Sequence, residues 1–209
     1  MLGIENFVSF LIAGLFLNLT PGTDTFYILG RSLSNGKKSG YLSAIGIGTG
    51  SLIHTLFAAF GLSIILKESE LAFGIVKLMG AAYLIFLGIR YLIKKENLDI
   101  KRKYTKKNNL KLFLSGVLTN VFNPKVALFY LAFLPQFIDP NYPEPMFSFI
   151  VLGLTFTITG TLWGIILAMF SSRLSRKFIN NPKIKIWFER ITGLVFISLG
   201  IKLAISKLE

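Results

Sequence analysis

Cysteine is absent from the 209 residues, which excludes disulfides, thiolate catalysis and cysteine-ligated metal. Histidine occurs once and acidic residues ten times. That supply is too thin for a dedicated protein-built metal site, and no cofactor is expected. Charge of any kind is scarce: 16% of residues are charged and 53% are hydrophobic, with a mean hydropathy of +0.63. Such a chain is too apolar for an ordinary soluble domain. The charge that exists is lopsided, at +13. An excess of that size can indicate nucleic acid, but here the lysines and arginines sit in short stretches between apolar runs. This is the positive-inside pattern of a membrane protein, and no nucleic-acid partner is expected. A cleavable signal is not expected either, because Glu5 stands where a basic n-region would be.

About 20 apolar residues span a bilayer as a helix. Six stretches qualify: 7–29, 40–66, 71–93, 112–137, 146–170 and 187–205. The second is rich in small residues (Gly46, Gly48, Gly50, Ser51) that let helices approach closely. The stretches 31–39, 94–111 and 173–185 are basic, whereas 67–70 and 139–145 are acidic. Six spans put all three basic loops on one side, the cytoplasm, and both termini outside; five spans would misplace one basic loop. The basic linker 94–111 reads as a solvated, topology-setting loop, with contact to anionic membrane lipids as the alternative.

The two halves resemble one another. Gly14-x-x-x-Asn18 matches Gly116-x-x-x-Asn120, and Pro21-x-x-x-x-Phe26-Tyr27 matches Pro124-x-x-x-x-Phe129-Tyr130. Gly50-Ser51-Leu52 matches Gly160-Thr161-Leu162. Lys77-x-x-Gly80 with Leu87-Gly88-Ile89-Arg90 matches Arg190-x-x-Gly193 with Leu199-Gly200-Ile201-Lys202. The pairs keep their order. Each half holds three spans, an odd number, so the second half inserts upside down. The expected fold is therefore an all-α membrane protein of six transmembrane helices, built as two inverted three-helix repeats (1–93 and 112–209) joined by the linker 94–111, with helices 1 and 4 broken. Inverted repeats with broken helices are common in secondary transporters, whose substrate sites lie where the breaks meet.

The breaks are Asn18 to Asp24 and Asn120 to Lys125. Proline in a membrane helix removes a donor and frees a carbonyl one turn back. The helix that restarts offers N–H groups and the positive end of its dipole. Paired breaks could thus bind the carboxylate and the ammonium of an amino acid. Candidate substrate-binding residues are Asn18, Thr20, Pro21, Gly22, Asn120, Asn123, Pro124 and Lys125. For the asparagines and Thr20 the plainer role is to satisfy backbone groups that the prolines disturb. Asp24 is a carboxylate within the first span, and Lys125 sits near the matching break. Asp24 reads either as a proton carrier or as half of an ion pair with Lys125. His54 is the second coupling candidate, against the commoner role of a packed, hydrogen-bonded residue. A membrane enzyme would need a nucleophile–base pair or metal cluster with recognisable spacing, and none is present. A scaffold that binds a partner through the basic linker is the other alternative.

Several motifs together resemble the LysE/RhtB family, the lysine and homoserine/threonine exporters of bacteria. They are Asn18-Leu19-Thr20-Pro21-Gly22, the Gly-rich second span ending in His54, Gly80-Ala81-Ala82-Tyr83-Leu84 with Leu87-Gly88, Leu118-Thr119-Asn120 with Asn123-Pro124-Lys125, and Phe133-Leu134-Pro135-Gln136-Phe137. The resemblance implies a small secondary transporter of the bacterial inner membrane. It would export amino acids or close derivatives by proton antiport, and it would act as a homo-oligomer. The family's Thr-Pro-Gly is usually followed by Pro and often Asn; here those positions are Thr23 and Asp24, so a softer break and an altered substrate or coupling are expected.

Overall fold

In the computed structural model of the chain, the residues described are 2–68, 70–93, 108–171 and 182–205. They are helical throughout except for turns and one isolated antiparallel bridge between Ile4 and Ile138. The linker residues 94–107 and the loop residues 172–181 lie outside the described residues.

Proline decides where the first and fourth apolar stretches break. Helix α1 (Phe7–Leu19) stops ahead of Pro21, and α2 (Thr23–Asn35) resumes after Gly22 at an angle of 47°. Helix α6 (Asn109–Val121) stops ahead of Pro124. There α7 (Pro124–Leu128), a π-helical turn (Phe129–Phe133) and a 3₁₀ turn (Leu134–Phe137) continue at 49°. The two bends are nearly equal, although each break carries one proline. Asn123 starts α7 by accepting a hydrogen bond from Lys125 N at 3.1 Å, and Pro124 at the first helical position loses no bond that the helix would have made.

The remaining elements are less interrupted. Helix α3 (Lys37–Phe57) runs through a π-helical segment (Ala58–Leu62) into α4 (Ser63–Glu68), and α5 (Glu70–Ile93) follows. Helices α8 (Pro145–Met169) and α9 (Pro182–Ile205) complete the chain. The α3–α4 stretch from Lys37 to Leu66 and α8 are each long and apolar enough to cross a membrane, and each broken pair passes as one bent span. In α5 and α9 the apolar portions are shorter, Leu78–Ile93 and Arg190–Ile201.

One expected loop is largely helix, and two others run into helix at their ends. The stretch 31–39 shrinks to one residue, Gly36, whose φ of 83° suits glycine alone. Arg31 is 3% exposed within α2, with its guanidinium 5.4 Å from the Tyr27 ring centroid. Cation–π contact of this kind is what allows a charge to be counted as loop in the sequence and yet be packed in the fold. In the third basic stretch, residues 182–185 already belong to α9, with Pro182 at its first position. At the end of the linker, Asn108 caps α6 through Lys111 N at 2.8 Å, so 109–111 are helical too.

Small residues set the packing. Gly40 of α3 faces Ser32 of α2; Gly46 and Gly50 face Gly116 and Asn120 of α6; Gly48 faces Thr161 of α8. In lipid no hydrophobic effect drives helices together, so close approach must supply the dispersion energy. The pairings also give direction. The pairs Gly46–Gly116 and Gly50–Asn120 make α3 and α6 parallel. Ala44–Gly164, Ser51–Thr157 and Thr55–Gly153 make α3 and α8 antiparallel. Gly14–Phe156 and Asn18–Gly160 make α1 and α8 parallel, so α1 and α6 oppose one another. Gly88–Gly193 and Ala81–Gly200 make α5 and α9 antiparallel.

An aromatic cluster lies between the first and second halves, with Phe129 stacked on Phe156 at 4.1 Å and Phe10, Phe133 and Phe137 around it. The other phenylalanines include Phe57, Phe60, Phe122 and Phe147, whose rings lie exposed on the outside among many exposed leucines and isoleucines. An apolar exterior of this extent suits lipid, not water.

Candidate functional site

Each proline orphans one carbonyl, that of the residue four positions earlier. For Pro21 this is Leu17, and for Pro124 it is Asn120. Both are served from the opposite half. The Lys125 ammonium donates to Leu17 O at 2.8 Å and to Thr20 O at 3.0 Å. His54 Nε2 lies 3.3 Å from Asn120 O, and Asn123 N–H donates to the same oxygen at 2.9 Å. A carbonyl only accepts, so His54 carries its proton on Nε2 in this contact. Lys125 also brings positive charge to the C-terminal end of α1, and Asp24 brings negative charge to the first turn of α2, each at the helix end where the dipole favours it.

Lys125 is therefore committed to carbonyls and makes no ion pair with Asp24 within 4 Å. Asp24 Oδ2 accepts from Asn120 Nδ2 at 2.7 Å instead. Three buried polar atoms nearby have no partner among the described residues: Asp24 Oδ1, Asn120 Oδ1 and Trp163 Nε1.

Asn18, Thr20, Gly22, Asp24, Asn120, Asn123 and Lys125 line one cavity of ≈ 60 Å³. Pro21 and Pro124 shape the breaks and do not line it; Pro124 is exposed. His54 is buried one layer behind, bonded to the Asn120 backbone and stacked on Tyr130 with 5.5 Å between ring centroids. Within the cavity wall, Asn18 Nδ2 donates to Thr159 Oγ1 at 3.2 Å. Thr20 Oγ1 donates to Phe16 O at 2.6 Å and shares a hydrogen bond with Thr192 of α9. Asn123 thus holds the backbone at its break, whereas Thr20 bonds Phe16 O, which already accepts Thr20 N–H, and joins α1 to α9. Among the described residues no group of acids and histidine could hold a metal.

The sequence reading missed a second layer. Tyr130 OH lies 3.0 Å from Ser51 Oγ, 2.9 Å from Thr55 Oγ1 and 3.3 Å from Thr157 Oγ1, and Thr157 donates to Ser51 at 2.9 Å. Ser51 and Thr157 line the cavity, so this cluster forms part of its wall. Trp163 and Thr161 of α8 were missed as well. Thr157 and Thr161 are spaced i, i+4, as are Ser51 and Thr55, so each pair shares a helix face, but α8 also carries Thr155 and Thr159 and α3 carries Ser43 and Thr49, so spacing alone does not single them out.

Comparison with known proteins agrees in family. The chain matches the LysE type translocator family over residues 15–207. It is 30% identical over 203 residues to the leucine efflux protein of Klebsiella pneumoniae, covering 97% of this chain and 96% of that one. It is 30% identical over 197 residues to the uncharacterized membrane protein YrhP of Bacillus subtilis (90% and 93% covered), and 30% identical over 222 residues to an uncharacterized membrane protein of Pseudomonas aeruginosa (100% and 99%). No solved structure matches. The chain therefore belongs to the LysE type translocator family, and it is a membrane translocator, not an enzyme.

Proposed function

We propose that this translocator exports amino acids or close derivatives from the cytoplasm in exchange for protons, by alternating access around the cavity between its two broken helices. The observation that carries this reading is that both breaks, joined by the Asp24–Asn120 bond across 96 residues of sequence, contribute polar side chains to one cavity inside an apolar helical body. The leucine efflux relative makes leucine the first substrate to try. Asn18, Asn120 and Lys125 contribute polar side chains to binding; Thr20, Pro21, Gly22, Asn123 and Pro124 hold the broken backbone open. Asp24 carries the proton, with His54 as the coupling candidate behind it.

Six spans in two inverted repeats, 1–93 and 112–209 about the linker 94–111, fit the packing. Helices α1, α3 and α5 run opposite to their partners α6, α8 and α9 in the second half. The residues matched between halves also meet reciprocally. Gly50 abuts Asn120 while Gly160 abuts Asn18, and Gly116 abuts Gly46 while Gly14 abuts Phe156. A two-fold relation in the membrane plane generates such exchanges. Lys125 and His54, each serving the other half's orphaned carbonyl, follow the same logic.

A cavity of ≈ 60 Å³ holds about four waters at ~15 Å³ each, and it is too small for a whole amino acid. Loading therefore requires one broken helix to swing, and the π-helical segments at Ala58–Leu62 and Phe129–Phe133 supply irregular backbone beside the site. We place the protein in the bacterial inner membrane as a homo-oligomer among anionic lipids, with the basic stretches 31–39, 94–111 and 173–185 cytoplasmic and both termini outside. Counterflow of labelled leucine in proteoliposomes tests the reading. Uptake into leucine-loaded vesicles supports it, and no counterflow for any amino acid tried, with folded protein, contradicts it.

A further inference from the structure

The three unpartnered atoms have complementary chemistry. Asp24 Oδ1 and Asn120 Oδ1 accept; Trp163 Nε1 donates. The Asn120 orientation is set by its amide nitrogen, which must face Asp24 Oδ2 to bond it at 2.7 Å, so its oxygen is the atom left over. Asn120 is 2% exposed, and a buried polar atom without a partner is costly unless something completes it. Lys125 spends two of its three hydrogens on carbonyls and keeps the third. All four residues line the cavity, and the rest of its wall mixes aliphatic side chains such as Ile28, Ile47 and Leu167 with hydroxyls such as Ser51 and Thr157.

Resting on the transport reading above, we propose a polarity for the site. Asp24 Oδ1 and Asn120 Oδ1 seat the substrate's α-ammonium, Trp163 Nε1 and the third Lys125 hydrogen seat its carboxylate, and an uncharged side chain lies against the remaining wall. The substrate class is then the α-amino acids with uncharged side chains. A further charge on the side chain would find no partner, since among the described residues Asp24 and Lys125 are the only charged ones lining the cavity. The ammonium and a proton seek the same Asp24 oxygen, so the two exclude one another. Around Asp24 the other titratable groups are Lys125 of α7 and His54 of α3, and the cavity-lining residues of α8 bring none.

Binding to purified protein in detergent tests this with no gradient present, so a failure of proton coupling leaves the result readable. The probes are L-leucine, 3-methylbutylamine (no carboxylate) and 4-methylpentanoate (no ammonium). Asp24→Asn should weaken leucine and the amine at least tenfold while leaving 4-methylpentanoate within twofold. Trp163→Phe should weaken leucine and 4-methylpentanoate more than the amine. Leucine affinity of the wild type should fall as pH is lowered, and that of Asp24→Asn should not. Equal losses for all three probes would mean a purely structural role and overturn the assignment, as would leucine binding that ignores Asp24→Asn. Should that variant not fold, N-acetyl-leucine on the wild type decides: binding at least tenfold weaker than leucine supports an ammonium seat, and equal binding overturns it. No binding of any aliphatic amino acid to the wild type would remove the transport reading as well.

Discussion

Lys125 offers the sharpest test of how the breaks are held. Lys125→Met keeps the bulk of the side chain and removes the donor to Leu17 O (2.8 Å) and Thr20 O (3.0 Å). A buried acceptor left alone costs about 1–3 kcal/mol, so two cost about 2–6 kcal/mol. Part of this is returned, because the buried ammonium no longer has to be desolvated. A net loss of about 2–4 kcal/mol follows. Pro21→Ala changes the sum in a specific way. It restores an N–H four residues after Leu17, so that carbonyl can be satisfied along its own helix. In the Pro21→Ala background, Lys125→Met should strand Thr20 O alone, and the double-mutant cycle should show coupling of about 1–3 kcal/mol. The assay is unfolding by SDS in mixed micelles, followed by circular dichroism. Additivity of the two substitutions within about 0.5 kcal/mol would refute the idea that Lys125 replaces the donor that proline lacks.

Glycine positions give a second test. A Cβ at Gly50 would lie 2.8 Å from both Asn120 Cβ and Val117 O, so Gly50→Ala should cost about 1–3 kcal/mol and lower transport, read from thermal melts and vesicle flux. At Gly160 the nearest atom is Asn18 Oδ1 at 3.0 Å, the end of a side chain that can turn aside, so Gly160→Ala should be milder in the same melts. Tyr130→Phe removes one hydroxyl from a cluster in which Ser51, Thr55 and Thr157 keep bonds among themselves and to backbone. A loss of about 1–2 kcal/mol is expected in the SDS titration, with no change in which half of the substrate is recognised.

Four of the spans and both breaks were legible in the sequence because their causes are local. Runs of about 20 apolar residues read as spans, and Pro21 and Pro124 dictate where two of them break. The Asn18/Asn120 and Gly50/Gly160 matches were also visible, but their reciprocal contact depends on how the halves pack. Lys125 could not be assigned, since an ammonium beside a carboxylate and beside orphaned carbonyls looks the same in one dimension; only the approach of α7 to the end of α1 decides it. Arg31 read as loop because charge marks loops, yet a Tyr27 face and an extended α2 hold it inside. The Tyr130 cluster was hidden for another reason. A serine or threonine in an apolar helix usually bonds its own backbone, as Thr55 does to Ser51 O at 3.0 Å. Nothing in the sequence separates that habit from a cavity wall.

The central claim, that substrate and proton exchange at Asp24 between two inverted breaks, is tested most directly in proteoliposomes that report both species at once. Leucine flux would be followed by radiolabel and proton flux by an enclosed pH dye, under an imposed pH gradient. The account predicts that leucine accumulates on the more acidic side as protons move the opposite way, and that Asp24→Asn abolishes gradient-driven accumulation. Gradient-driven leucine movement of wild-type magnitude in Asp24→Asn, or leucine flux with no accompanying protons, would contradict it.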